Sequence, residues 1–207
     1  MIKRIIFDVD DTLIKFPTNF DEGYKKVINK HNLNINSEEL FKIIGMYELS
    51  GKYKYYNKRE LVKLISENID IELTDKFIED FFDMYNKLIT PIQKETIDTL
   101  KYLSKKYELV VLSNWFTDSQ IERLKCVGIY KYFKKVYGTD IIPMKPRKES
   151  FLSVIGDRKI DECLMIGDNL EVDIKIPYLM GMNVYYLTDK ETNYPSIKKI
   201  SDLKELL

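Results

Sequence analysis

The chain has 207 residues, with 33 Lys and Arg against 33 Asp and Glu, so its formal net charge is zero. A chain of this length can bury roughly 70% of its extended surface and suits one large domain or a core carrying an insertion. Hydrophobic residues at 44% and charged residues at 32% exclude a disordered chain, and zero net charge supplies no general field to attract a nucleic acid polymer or an anionic membrane.

The N-terminus, Met1 to Phe7, turns acidic at Asp8, so no signal peptide is drawn there. Ile5-Ile6-Phe7 reads as a first buried strand. Residues 17–90 hold no convincing strand, only helical spacing: Tyr24-Val27-Ile28, Leu40-Ile43-Ile44, Leu61-Leu64-Ile65 and Phe77-Phe81-Met84-Tyr85-Leu88. Asn57 and Thr74 are candidate N-caps, and Pro91 closes the block. His31, the one histidine, stands at the polar end of a helical stretch and is expected to be a solvated surface side chain. A Ser-His-Asp or Cys-His mechanism would have to pass through it, so carboxylates must carry any catalysis.

From residue 92 strands alternate with helices. The strand candidates are Leu109 to Leu112, Lys134 to Tyr137, Cys163 to Ile166 and Val184 to Leu187. Short unbroken apolar runs suit parallel strands covered on both faces. Thr117-Asp118-Ser119-Gln120 has the pattern of a capping box, and Gly128 suits the end of that helix. The apolar runs are far too short for a membrane span. Cys126 and Cys163 lack metal-ligand spacing, and a reducing, cytoplasmic setting is expected. The fold expectation is therefore α/β: a Rossmann-like three-layer core with a parallel sheet, plus an inserted all-helical domain. The core takes residues 1–16 and 91–207, and the helical unit 17–90.

In open α/β sheets functional groups gather past the C-terminal ends of the strands. Those positions hold Asp8-Val9-Asp10-Asp11-Thr12, then Ser113-Asn114, then Lys145-Pro146, then Gly167-Asp168-Asn169 with Asp173 five residues beyond Asp168. Each alone is ordinary turn chemistry; all four at successive strand ends make a site. Asp8, Asp10, Asp168 and Asp173 would crowd four negative charges on one rim, which a divalent cation and Lys145 would relieve. All-oxygen donors point to Mg²⁺. A protonated Asp10 would remove the last charge and provide a proton donor.

Phe7 to Leu13, Ser113, Lys145 and Gly167 to Asp173 resemble the four motifs of the haloacid dehalogenase (HAD) superfamily, across the whole chain. The place of the helical insertion is similar to the C1 cap of subfamily I. The resemblance implies a Mg²⁺-dependent phosphatase acting through an aspartyl-phosphate. Asp8 would be the nucleophile, and Asp10 would protonate the leaving oxygen and then deprotonate water. Asp8, the Asp10 carbonyl and Asp168 would hold the metal, with Asp173 supporting its waters or Lys145. Ser113, the Asn114 backbone amide and Lys145 would grip the phosphate. Two departures stand out: Asp11 replaces the Gly of many members and is expected to point away, and Pro177 interrupts the helix expected after Asp173.

Dehalogenating and phosphonate-cleaving members lack the second Asp of the first motif, so Asp10 favours phosphate esters. A sugar phosphomutase keeps every residue named and stays open. A receiver-type signalling domain fits poorly, being shorter and lacking the insertion. A non-catalytic binding protein would be expected to have lost a motif residue, and none is missing. The substrate is expected to be a small phosphorylated metabolite, with no obligatory protein partner. Asp8 to Leu13 resembles members acting on nucleoside 5′-monophosphates, and also sugar-phosphate and phosphoglycolate phosphatases. Phe16, Phe20 and Tyr24 could stack on a base, although packing within the protein is the stronger reading. Gly51-Lys52-Tyr53-Lys54 and Arg59 are candidates for a second anionic group.

Overall fold

The computed structural model describes residues 1–49, 55 and 57–207. Six strands, β1 (Arg4–Phe7), β2 (Glu108–Leu112), β3 (Lys135–Tyr137), β4 (Cys163–Gly167), β5 (Asn183–Leu187) and β6 (Ser196–Ile197), form one parallel sheet in the order β3-β2-β1-β4-β5-β6. Helices α1 (Phe20–Lys30), α2 (Ser37–Leu49), α3 (Lys58–Ile69) and α4 (Asp75–Lys87) lie between β1 and α5 (Lys94–Leu103). The chain continues through α6 (Thr117–Cys126), α7 (Lys148–Ile155), α8 (Lys175–Leu179) and α9 (Leu203–Leu206).

The register places Ile5 between Leu109 and Leu164, and Phe7 between Val111 and Ile166. Successive side chains leave a strand on opposite faces. Ile5, Phe7, Val111 and Ile166 accordingly pack with Leu100, Leu103 and Leu124 of α5 and α6. Ile6, Val110 and Met165 pack on the other face with Phe151 and Val154 of α7. Burial on both faces is why the strands read as continuous apolar runs. The sheet order reverses direction at β1, where the connections lead to β2 on one side and β4 lies on the other. That is a topological switch point, and the crevice beyond it is the expected place for a ligand.

The inserted helices bury a core of their own around Leu40, Leu61, Ile65, Phe77 and Phe81. It continues into Trp115, Phe116 and Met144 of the sheet unit. Lys58 at the start of α3 also meets Asp118 of α6, Nζ to Oδ2 2.5 Å. Asn57 and Thr74 act as the N-caps their sequence suggests, accepting from the amides of Arg59 and Phe77. Gly128, at φ +76°, follows α6 in the left-handed conformation that ends a helix. Among the described residues no helix is long and apolar enough to cross a membrane.

Three expectations need correction. The edge strand β6 was not legible, because two residues carry no pattern. Thr117 to Gln120 form no capping box: Asp140 Oδ1 accepts from both the amide and the hydroxyl of Thr117, and the Gln120 side chain turns inward. His31 is not a solvated side chain. Its ring is only 15% exposed, packs edge-on to Phe77 and lies with Nε2 3.0 Å from Asp80 Oδ2.

Candidate active site

The sheet delivers the four motif segments to one crevice. Asp8 is the first residue past β1, and its amide still donates to Ile166 O, which fixes it beside β4. The chain then turns tightly, with the amides of Leu13 and Ile14 both donating to Val9 O. Asp11 sits at φ +59° in that turn, a conformation Asp tolerates better than most residues. One oxygen of its carboxylate accepts from the Phe16 amide, so the side chain is drawn toward the outgoing loop, although the residue still borders the pocket. Past β2, Ser113 is buried, and its amide donates to Tyr137 O of β3.

Lys145 is brought in from the loop after β3 by Asn114. The Asn114 side chain donates to Lys145 O and accepts from Lys145 N, at 3.0 and 2.8 Å. Its ammonium, 1% exposed, then lies 2.7 Å from Asp8 Oδ1 and 2.6 Å from Asp173 Oδ1. Asp173 comes from a π-helical turn, Leu170–Ile174, in which the Lys175 amide reaches back five residues to Leu170 O. Asn169 caps that turn by accepting from the amides of Glu171 and Val172, and its own amide donates to Asp173 Oδ2. Pro177 then falls in the first turn of α8, where its missing N–H costs nothing, so the doubt about this helix concerned only its start. Thr12 donates to Asp168 Oδ1 at 3.0 Å and sets that carboxylate from across the crevice.

Asp8, Asp168 and Asp173 each offer an oxygen within 4.8 Å of the others. Burial, opposed by Lys145 but reinforced by Asp173 and Asp10, pushes the Asp8 carboxyl up to about 8. Burial and then Asp173 push Asp168 up to about 6. Burial works against the charge on Lys145, but Asp173 and Asp8 outweigh it and hold the ammonium above its ordinary value. Three close carboxylates with one ammonium are short of positive charge. The donor set is all hard oxygen with no His or Cys, which fits a small divalent cation. Asp173 has both oxygens engaged, one by Lys145 and one by the Asn169 amide, so Asp8 and Asp168 are the carboxylates that could hold it.

Asp10 departs from the expected arrangement. Its side chain joins not the other three carboxylates but α6: Oδ1 is 2.5 Å from Arg123 Nη1 and Oδ2 accepts from Gln120 Nε2 at 2.8 Å. Sequence reasoning missed both partners, because Gln120 fits a capping pattern and Arg123 reads as the polar side of an amphipathic helix. The available signal was their spacing: three residues apart they share one face of a helix that begins at the crevice. Trp115 was also missed. It borders the pocket with its indole against Tyr85 and Phe82, and its Nε1–H donates to Ser119. Phe16, Phe20 and Tyr24 are not at the crevice but pack on one another and on Phe41. Arg59 is exposed at a separate cleft beside Lys58 and Asp118, and Gly51 to Lys54 lie outside the described residues. The pocket over Asp8, Ser113 and Lys145 encloses about 380 Å³.

A doubly wound parallel sheet with clustered carboxylates, a buried lysine and a buried serine at its switch point defines an α/β protein with a carboxylate-centred site. Residues 5–186 match the haloacid dehalogenase-like hydrolase family, and the chain belongs to that family. It is 30% identical to a glyceraldehyde 3-phosphate phosphatase of Methanocaldococcus jannaschii, over 100% of this chain and 96% of the relative. It is 25% identical to the HAD-hydrolase YfnB of Bacillus subtilis, over 99% of this chain and 92% of that protein. The crystal structure of YfnB bound to magnesium superposes with a TM-score of 0.77 at 21% identity, covering 100% of this chain and 98% of that one.

Proposed function

We propose that the protein is a Mg²⁺-dependent phosphomonoesterase that works through an aspartyl-phosphate on Asp8. The observation that carries this reading is the Lys145 ammonium shared between Asp8 and Asp173, beside a serine whose hydroxyl only accepts. Asp8 would attack phosphorus with one carboxylate oxygen, and the ester P–O bond would break with its electron pair leaving on the ester oxygen. Asp10 would give that oxygen a proton, then take one from the water that cleaves the acyl phosphate. Ser113 Oγ accepts from the Trp115 amide and from Gln120, so its own proton is free to donate to a phosphate oxygen. Lys145 and the Asn114 amide would complete the grip. Asp8, Asp168 and the Asp10 carbonyl would hold Mg²⁺, which when bound would neutralise charge on the transferring phosphoryl group. The helical unit 17–90 would act as the cap that keeps bulk water from the crevice.

The substrate would be a small phosphorylated metabolite. With Phe16, Phe20 and Tyr24 spent on packing, the support for a nucleobase platform weakens. The 30%-identical glyceraldehyde 3-phosphate phosphatase favours a short phosphorylated sugar or carbonyl compound over a nucleoside 5′-monophosphate. A sugar phosphomutase shares the core and is the second reading.

The test is phosphate release from glyceraldehyde 3-phosphate, phosphoglycolate, hexose phosphates and nucleoside 5′-monophosphates, with Mg²⁺ or EDTA. Release that needs Mg²⁺ and disappears in Asp8→Asn is expected, greatest with the three-carbon compounds. Isomerisation of a sugar phosphate without net release would replace the phosphatase reading with the mutase.

A further inference from the structure

We propose that Gln120 and Arg123 of α6 are positioning residues that set the Asp10 carboxyl beside the phosphate site for proton transfer to the leaving oxygen. The inference rests on the phosphatase reading above and deepens it. A single nitrogen, Gln120 Nε2, donates both to Asp10 Oδ2 at 2.8 Å and to Ser113 Oγ at 2.9 Å. That bridge ties the proton carrier to the hydroxyl that would hold phosphate, and so fixes the distance between them. The amide turns its nitrogen toward Asp10 because its oxygen is taken by the Arg123 guanidinium, which a flipped amide would meet with N–H against N–H. Arg123 enforces the orientation: Nη1 donates to Gln120 Oε1 at 2.9 Å as well as pairing with Asp10 Oδ1.

Stability does not explain the arrangement. Arg123 is 1% exposed, and its Nε is buried with no hydrogen-bond partner among the described residues. Apolar residues at 120 and 123 would meet the neighbouring core without that desolvation, and such replacements of buried ion pairs are often neutral or stabilising. The guanidinium is placed for Asp10 at the expense of its own hydrogen bonding. It also lies 5.1 Å from the ring of Tyr85 in α4, so a residue of the inserted helices backs the group that aims Asp10. In the reaction the Asp10 proton passes to the leaving oxygen as the P–O electron pair departs. Arg123 stabilises the carboxylate left behind and holds it where the attacking water is next deprotonated.

The leaving group provides the test. Loss of p-nitrophenolate needs no proton, whereas loss of an alkoxide does, and kcat/KM reports only the steps through that loss. Arg123→Met should lower kcat/KM about a hundredfold for the best alkyl phosphate of the panel but only about threefold for p-nitrophenyl phosphate. Gln120→Leu should show the same inequality, and Arg123→Lys, which keeps charge without the planar fork, should recover part of the loss. In an Asp10→Asn background Arg123→Met should cause no further fall on the alkyl phosphate. Equal losses on the two substrates, or an undiminished second loss in the double variant, would overturn the proposal. Circular dichroism establishes that each variant is folded; should Arg123→Met fail, Arg123→Lys and Gln120→Leu carry the same comparison. Asp10→Asn without leaving-group dependence would strike the reading of Asp10 itself, and the positioning role with it.

Discussion

A methyl group at residue 167 would lie 2.4 Å from the Cβ of Asp173, so the last residue of β4 has to be glycine for the π turn to close over it. Gly167→Ala should push Asp173 away from Lys145, lowering phosphatase activity about a hundredfold at a stability cost of about 1–3 kcal/mol; steady-state kinetics beside urea denaturation would separate the two effects. Thr12→Val tests the opposite wall. It removes the hydroxyl that donates to Asp168 Oδ1 and should weaken Mg²⁺ binding about tenfold, as read by titration calorimetry. At this scale the carboxylates, Ser113 and Lys145 were legible because each directly follows a strand or lies in the loop beyond one, where local spacing is enough to find it. Gln120 and Arg123 were not, since their meaning depends on where α6 packs. The same holds for His31, which looks solvated until Phe77 and Asp80 close on it from α4.

Among the elements, α4 joins the two halves of the molecule. Phe81 is fully buried, stacked on Phe77 and Tyr85 and edge-on to Tyr24 and Phe82, while Phe82 and Tyr85 continue to Trp115. Phe81→Ala should destabilise the protein by about 3–5 kcal/mol, the usual cost of emptying a buried aromatic site, measured by chemical denaturation. The four inserted helices were visible as period-3.6 spacing because each buries one face on the others. The π turn before α8 was not visible. Its signal was there as a conflict, since Pro177 is forbidden four residues into a helix that starts at Asp173 but allowed in a first turn that starts at Lys175. Thr117 to Gln120 shows the reverse error, a capping pattern whose residues found stronger partners in Asp140 and Asp10.

For the molecule as a whole, the crowded carboxylates link folding, proton binding and cation binding. Asp8 at about 8 and Asp168 at about 6 both lie above their ordinary value near 3.8. Between pH 5 and pH 8 the folded, cation-free protein therefore holds protons that the unfolded chain has already released, so its stability falls as pH rises through that window. Asp80, drawn down to about 2 chiefly by the Lys30 ammonium, exerts its opposite influence only below that range. A cation held by Asp8 and Asp168 needs both ionised, and it competes with those protons. Mg²⁺ should consequently raise Tm over the EDTA value by more at pH 8 than at pH 5, and binding at the lower pH should release protons in calorimetry. Taking the difference between Mg²⁺ and EDTA at each pH cancels every group the cation does not touch. A shift of equal size at both pH values would mean that the cation sits elsewhere than on these carboxylates, and it would remove the electrostatic reason for the cluster.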